Sequence, residues 1–203
     1  RSRGLGDVYK RQVLVNWMRI NLYTTLLHGD KDKAKWMVDN IVTNSWNDQT
    51  DLGKPIKECI FELKQAYPKY APYIVAYWYC YKDMDAGEIP GIYDVMKDLK
   101  DRGYQLYCLT NWSHETFPIV KEVHARLFEL FDGIVVSGEE KMVKPNPEIY
   151  NLLLGRYNLN ASESVFIDDR QRNVDGANQV GIQGILFTGS NNLKEQLAHL
   201  SIL

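Results

Sequence analysis

The sequence predicts an α/β fold, in which a Rossmann-like core with a parallel sheet carries an inserted helical cap. Two patterns support this prediction. From residue 87 onward, short apolar segments alternate with helical segments, which is typical of a parallel sheet covered by helices on both faces. In residues 19–86 the apolar positions recur at spacings of three and four, which indicates a small bundle of helices.

The composition limits the classes of partner. The chain has 203 residues, 45% of them apolar, and a net charge of −2. These values are typical of a globular protein, and no basic face favours nucleic acid or an anionic membrane. Neither a membrane-length apolar run nor a signal peptide is recognisable, so we expect a cytoplasmic monomer or homodimer that binds a small molecule.

The cysteines and histidines predict neither a disulfide framework nor a zinc site. Three cysteines lie far apart in apolar surroundings without a C-x-x-C pair, which indicates buried thiols in a reducing compartment. The four histidines lack the spacing of zinc ligands. The residues concerned are Cys59, Cys80 and Cys108, and His28, His114, His124 and His199.

The N-terminal segment 1–12, "RSRGLGDVYKRQ", runs abruptly into the apolar "VLV" of 13–15. Its second half, "DVYKRQ", resembles the translation of a transposon end used in sequencing libraries. We therefore predict that 1–12 is a non-native, adaptor-derived segment, the alternative being a basic N-terminal arm. Residues 13–18 and 87–203 are then assigned to the core, with "VLV" as the remainder of its first strand, and 19–86 to the cap.

The cap segment contains four helical stretches, "NLYTTLL", "DKAKWMVDNIVT", "IKECIFELKQAY" and "APYIVAYWYCYKDM". Its aromatic residues are interpreted mainly as bundle core, although those near the loops are also placed to line the roof of a pocket. They are Trp36, Trp46, Tyr73, Tyr77, Trp78 and Tyr81.

The core begins with the helix "IYDVMKDLKDRG", which ends on a glycine cap. The strands "YQLYCLT", "GIVVS", "SVFID" and "QGILF" follow, separated by helices predicted near 115–128, 147–157 and 171–180 and followed by a terminal helix. Ligands of such sheets bind beyond the carboxyl ends of the strands. Polar residues at those ends are therefore the candidate site.

The first polar cluster is "LTNWS". Thr110 and Asn111 end a strand, and Ser113 is placed to cap the next helix. A hydroxyl beside free backbone N–H groups forms an anion site of phosphate size, although the same residues also cap ordinary helices.

The second cluster is "EEKMVKPNPEIY". Pro145 keeps Lys144 out of a helical conformation, and Asn146 and Pro147 suit the start of the next helix. An ammonium group held in this extended link is placed to neutralise several oxyanions. The alternative is a solvated lysine in a loop.

The third cluster is the pair Asp168 and Asp169 in "FIDDRQRNVDGANQVGI". Two carboxylates beyond a strand suit a hard cation such as Mg²⁺, whose remaining positions are filled by water and substrate oxygens. Asn173 is placed to orient one carboxylate or a metal-bound water. A helix cap explains one aspartate but not both.

Taken in order, "LTN", "KPNPEIY" and "FIDDRQRNVDGANQVGI" resemble the second, third and fourth motifs of the haloacid dehalogenase-like hydrolase superfamily. The resemblance implies a helical-cap phosphatase in which an aspartate on the first strand attacks phosphorus and becomes an aspartyl-phosphate. It also implies that Thr110 binds the transferring phosphoryl group, that Lys144 bridges nucleophile and phosphate, and that Asp168 and Asp169 bind Mg²⁺.

The first motif departs from this pattern. Similar family members begin with "FDFGGVLVNW", so that Tyr9 occupies the place of the nucleophile and Arg11 the place two residues on. Asp7 lies two residues too early, roughly 6 to 7 Å along a strand, which is outside catalytic tolerance. We therefore expect this exact chain to be inactive and less stable than a form with an intact first strand.

Three other functions are considered. A 2-haloacid dehalogenase shares this core but needs no metal, and the adjacent aspartates argue against it. A phospho-signalling receiver domain carries its acidic pair first and its lysine last, whereas this chain has the order Thr, Lys, Asp-Asp. A non-catalytic protein that binds phosphate and Mg²⁺ on the same fold is the third. The sequence does not identify the substrate.

Overall fold

The computed structural model describes residues 12–203, so the predictions for Asp7, Tyr9 and Arg11 lie outside the described residues. The described strands are β1 (Val15–Trp17), β2 (Asp85–Glu88), β3 (Tyr107–Thr110), β4 (Gly133–Val136), β5 (Val165–Asp168) and β6 (Gln183–Leu186). The described α-helices are α1 (Arg19–Leu26), α2 (Lys31–Asn40), α3 (Asn44–Asp51), α4 (Ile56–Ala66), α5 (Ala71–Tyr79), α6 (Ile92–Asp101), α7 (Phe117–Val123), α8 (Ala125–Phe128), α9 (Ser137–Glu140), α10 (Pro147–Tyr157), α11 (Gln171–Gln179) and α12 (Ser190–His199).

The helices α1 to α5 lie in the segment expected to form the cap, and side chains define where two of them begin. Asp30 accepts a hydrogen bond from the Lys33 N–H at the start of α2, and Thr43 accepts one from the Trp46 N–H at the start of α3. The chain enters this helical segment through β1 and leaves it through β2, and the two strands pair antiparallel. The helical segment is thus closed at its base by a two-stranded ribbon.

The core consists of parallel strands with helices packed on them, as the alternating pattern predicts. Strand β3 pairs in parallel with β4, and β5 pairs in parallel with β6. Within residues 12–203 the strands hydrogen-bond only as these two pairs and the β1–β2 ribbon. The "VLV" segment was expected to continue the parallel sheet, but Val15 instead begins a strand of the antiparallel ribbon.

The helix expected near 115–128 is two helices, α7 and α8, because the chain leaves the helical conformation at His124. The His124 ring is buried and lies 3.1 Å from an oxygen of Asp85 and 3.6 Å from one of Glu88. This contact with β2 is a tertiary interaction that periodicity does not reveal. In contrast, α10 has the bounds predicted for it.

Three of the six aromatic residues named above pack in the interior. Trp46, Tyr77 and Tyr81 are buried, and their rings pack edge to face. Tyr73 and Trp78 are half-buried, and Trp36 is 44% exposed and packs against Tyr70. The longest helices of residues 12–203 have 11 residues, and none has the length and hydropathy of a membrane span.

Candidate active site

The side chain of Lys144 joins the carboxyl ends of β3 and β5. Its Nζ donates a hydrogen bond to the Leu109 carbonyl oxygen and another to Oδ2 of Asp168, each at 2.7 Å. Thr110, the last residue of β3, directly follows Leu109. The fold therefore brings Thr110, Lys144 and Asp168, which are far apart in the sequence, to one edge of the core.

Lys144 and Asp168 form a buried ion pair, with side chains that are 10% and 5% exposed. The second carboxylate oxygen of Asp168 accepts hydrogen bonds from the Arg170 N–H and from Nδ2 of Asn173, both at 2.9 Å. Burying a carboxylate is costly unless it is paired and hydrogen-bonded. Both of its oxygens are satisfied here, so the geometry of Asp168 is well defined.

Asp169 has a different electrostatic environment. Its burial, together with the neighbouring charge of Asp168, raises the pKa of the Asp169 carboxyl, although Arg170 and Lys144 oppose this shift. A cation beside the pair would stabilise the charged form of Asp169. The two adjacent carboxylates therefore fit Mg²⁺, which binds through one or two carboxylates and keeps water or substrate oxygens as its other ligands. Residues 12–203 contain no cluster of three or more His, Cys, Asp or Glu side chains suited to a metal.

Asn173 is buried behind Asp168, and its Nδ2 makes the contact with one carboxylate described above. Its backbone carbonyl accepts a hydrogen bond of 2.7 Å from the Tyr150 hydroxyl, which attaches the start of α11 to α10. The Oδ1 atom of Asn173 is buried and has no hydrogen-bond partner among the described residues. A rigid helix start therefore supports the carboxylate.

Asn111 holds the lysine loop through its side-chain amide. Its Nδ2 donates to the Lys144 carbonyl oxygen at 3.0 Å, and its Oδ1 accepts from the Lys144 N–H at 2.9 Å. The sequence pointed to phosphate binding by Asn111, whereas in the structure its side chain is engaged with the backbone of Lys144. Spacing within "LTNWS" does not reveal this contact, because the two residues are 33 positions apart.

The loop after β3 follows Thr110 and continues to α7. Ser113 accepts a hydrogen bond from the Glu115 N–H at 3.3 Å, so it caps a turn that precedes the helix rather than the helix itself. Trp112 donates its backbone N–H to the Ser137 hydroxyl at 3.0 Å. Ser137 is fully buried and was missed by the sequence reasoning, which placed "GIVVS" only as a strand.

A cavity of about 890 Å³ adjoins this site. It lies between β3 and β5 and reaches the cap, where Arg19, Asn44 and Asn47 contribute to its lining. Thr110, Lys144, Asp168 and Asp169 also line it. The volume is within the range of small-molecule pockets.

Burial makes two of the three cysteines poor nucleophiles. Burial raises the pKa of the Cys108 thiol to about 12, and it also raises the pKa of Cys59. A thiol that remains protonated at neutral pH is a poor nucleophile. Cys108 lies within β3 and is buried there, as the apolar surroundings in the sequence predict.

Comparisons with known proteins agree on one family. The model of the haloacid dehalogenase-like hydrolases matches residues 23–181, more than three quarters of the chain. The sesquiterpene phosphatase astK of Aspergillus oryzae is 36% identical over 96 residues, which are 47% of this chain and 48% of that protein. A ribulose-1,5-bisphosphate 5-phosphatase of Halopiger xanaduensis is 29% identical over 116 residues, 57% of this chain and 48% of that protein.

The fold also matches solved structures. A HAD family enzyme of Bacteroides thetaiotaomicron, crystallised as a magnesium complex, superposes with a TM-score of 0.68 at 20% identity, covering 91% of this chain and 92% of that one. At this identity the likeness concerns the fold. The chain spans about half the length of the two curated relatives described above.

Proposed function

The chain belongs to the haloacid dehalogenase-like hydrolase family, and we propose that its site is that of a Mg²⁺-dependent phosphatase of small phosphomonoesters. The observation that carries this proposal is the ammonium group of Lys144, which lies between the ends of β3 and β5 beside an acidic pair. Curated relatives with phosphatase names support the same class of substrate.

We propose a role for each residue, which its position in the structure supports. The Thr110 hydroxyl, at the end of β3, binds an oxygen of the phosphoryl group, and Lys144 neutralises charge that develops on the phosphoryl oxygens. Asp168 and Asp169 would hold Mg²⁺, which when bound would further stabilise that charge. Asn173 and Asn111 keep Asp168 and Lys144 in place through the hydrogen bonds described above.

Under this proposal, the chain lacks the nucleophile of the reaction. Tyr9, at the place of the family's aspartate, lies outside the described residues and carries a phenol, which is protonated at neutral pH. We therefore expect the chain to bind Mg²⁺ and phosphate without turnover. A carboxylate at position 9 would attack phosphorus, expel the alcohol and form an aspartyl-phosphate that water then hydrolyses.

The division of the chain also forms part of the proposal. Residues 19–86 act as a cap that closes over the leaving group, and residues 13–18 and 87–203 act as the core. The protein is proposed to work in the cytoplasm on a small phosphorylated molecule, as a monomer or homodimer.

The test restores the first motif. Residues 8–12 are replaced by "FDFGG", which includes Tyr9→Asp, and the matched control carries Tyr9→Asn in the same background. We expect phosphate release from p-nitrophenyl phosphate by the aspartate form only, with loss of activity in EDTA. Phosphate release by the control, or none by the aspartate form, would contradict the proposal.

The same pair of proteins distinguishes the dehalogenase. A 2-haloacid dehalogenase would release chloride from 2-chloropropionate in the presence of EDTA. Chloride release under these conditions would contradict the phosphatase proposal and support a dehalogenase. Binding of Mg²⁺ and phosphate without any turnover by the aspartate form would instead indicate a non-catalytic binding protein on this fold.

A further inference from the structure

The buried hydroxyl of Ser137 contacts both the cap and the loop that follows Thr110. It donates a hydrogen bond of 2.6 Å to the carbonyl oxygen of Asp51 at the end of α3, and it accepts one from the Trp112 N–H at 3.0 Å. Ser137 itself begins α9 in the core and is 0% exposed. One hydroxyl therefore connects the cap to the loop of the phosphate site.

A second hydrogen bond joins the same two segments. The Glu115 carboxylate, four residues after Asn111 in the loop, accepts the Ile56 N–H at 3.1 Å. Ile56 is the first residue of α4, whose first-turn N–H groups have no partner within the helix. The cap loop 52–55 is thus held at both of its ends by the loop 110–116 and its neighbour Ser137.

The backbones at this joint are in close contact. A Cβ atom at Gly53 of the cap would lie 2.7 Å from the Gly138 carbonyl oxygen. A Cβ atom at Gly138 would lie 2.6 Å from the His114 nitrogen and 2.8 Å from the Trp112 carbonyl oxygen. Because these backbones leave no free space between them, a shift of the cap loop would also shift the start of α9 and the loop that follows β3.

We propose that Ser137 is a positioning residue that couples the seating of the cap to the conformation of the phosphate-binding loop. The role of that loop rests on the proposed function, whereas the mechanical coupling rests on the contacts alone. Coupling between two sites is reciprocal, so phosphate at Thr110 stabilises the cap loop, and a seated cap strengthens phosphate binding.

The test uses the chain as it stands, with Ser137→Ala and a matched control, Ser190→Ala. Ser190 is also buried and also donates to a backbone carbonyl, that of Pro90 at 2.7 Å, but it joins α12 to the segment before α6. Ser137→Ala loses the two hydrogen bonds described above and Ser190→Ala loses one, so both variants should be less stable to heat, Ser137→Ala more so. Only Ser137→Ala is expected to weaken the binding of inorganic phosphate with Mg²⁺, by about fivefold, the lower end of typical coupling between two sites.

Amide hydrogen exchange, followed by NMR, measures the coupling without phosphate. Ser137→Ala should accelerate exchange at Ile56, which Ser137 does not contact, and Glu115→Ala should accelerate exchange at Trp112 in the same indirect way. Glu115→Gln retains an oxygen acceptor for the Ile56 N–H and should restore slow exchange at Trp112.

If Ile56 in Ser137→Ala and Trp112 in Glu115→Ala exchange at the same rates as in Ser190→Ala, the coupling is overturned even if phosphate binds. Absence of phosphate binding by the unsubstituted chain would overturn the proposed function instead. In that case accelerated exchange at both positions would still establish that Ser137 positions the cap on this loop.

Discussion

Lys144→Met should destabilise the protein substantially, because it leaves the carboxylate of Asp168 buried without its cation. Removing one partner of a buried ion pair costs about 3–5 kcal/mol. Asp168 keeps two hydrogen-bond donors on its other oxygen, so we expect the lower end, about 3 kcal/mol. For a chain of this size that loss lowers the melting temperature by about 6–12 °C.

Thermal melts and urea unfolding at pH 7 measure this loss against a matched control, Lys97→Met. Lys97 also forms an ion pair, with Asp101, but both side chains are more than half exposed. The control should therefore keep the stability of the unsubstituted chain. The double variant Lys144→Met with Asp168→Asn removes the unpaired charge and should regain part of the loss. Equal melting temperatures for Lys144→Met and Lys97→Met would refute the argument.

Three further predictions concern the surroundings of the site. Asn111→Ala removes both hydrogen bonds that hold the lysine loop and should lower the free energy of unfolding by about 2 kcal/mol, measured in urea; an unchanged urea midpoint would contradict it. Gly138→Ala should cost about 1–3 kcal/mol because of its close backbone contacts, whereas Gly155→Ala, in an open helical position, should stabilise by about 0.5–1 kcal/mol in the same melts. Arg126 lowers the pKa of the Glu88 carboxyl, so this pair stabilises the protein above about pH 4.5 and the contribution disappears as the pH falls through the folded-state pKa. The urea midpoint of Arg126→Met should therefore be lower at pH 7 and converge with that of the unsubstituted chain as the pH falls below 4.5 and through the lowered pKa of Glu88. A gap that stays constant over this fall in pH would exclude Glu88 as its source.

Local chemistry explains which parts of the fold the sequence predicts. The helix α10 has its expected bounds because Pro147 begins it and the residues before it are restricted by Pro145. The break between α7 and α8 was not predicted; it falls at His124, whose buried ring contacts Asp85 on a distant strand. Periodicity reports the burial of a helix face but not a polar partner from elsewhere in the chain.

In the candidate site, too, local sequence signals were predictive and tertiary contacts were not. Thr110, Lys144 and Asp168 were predicted to converge because each follows a strand end, and in the structure they do. The contacts that hold them in place were not predicted. Asn111 and Ser137 act on segments 33 and 25 positions away through backbone atoms, and backbone atoms leave no signature in a sequence.

The Lys144 ion pair also explains why function and stability are difficult to separate in this protein. Within residues 12–203, β3 and β5 do not hydrogen-bond to each other, yet the ammonium of Lys144 contacts both. A substitution there therefore removes a group of the proposed chemistry and a connection between two parallel pairs of strands. Loss of phosphate binding in Lys144→Met alone would not assign a role in binding. The double variant with Asp168→Asn separates the two effects when it is compared with Asp168→Asn alone, because both lack the same proposed Mg²⁺ ligand. Weaker phosphate binding by the double variant than by Asp168→Asn, in proteins of similar stability, isolates the contribution of the ammonium to the ligand.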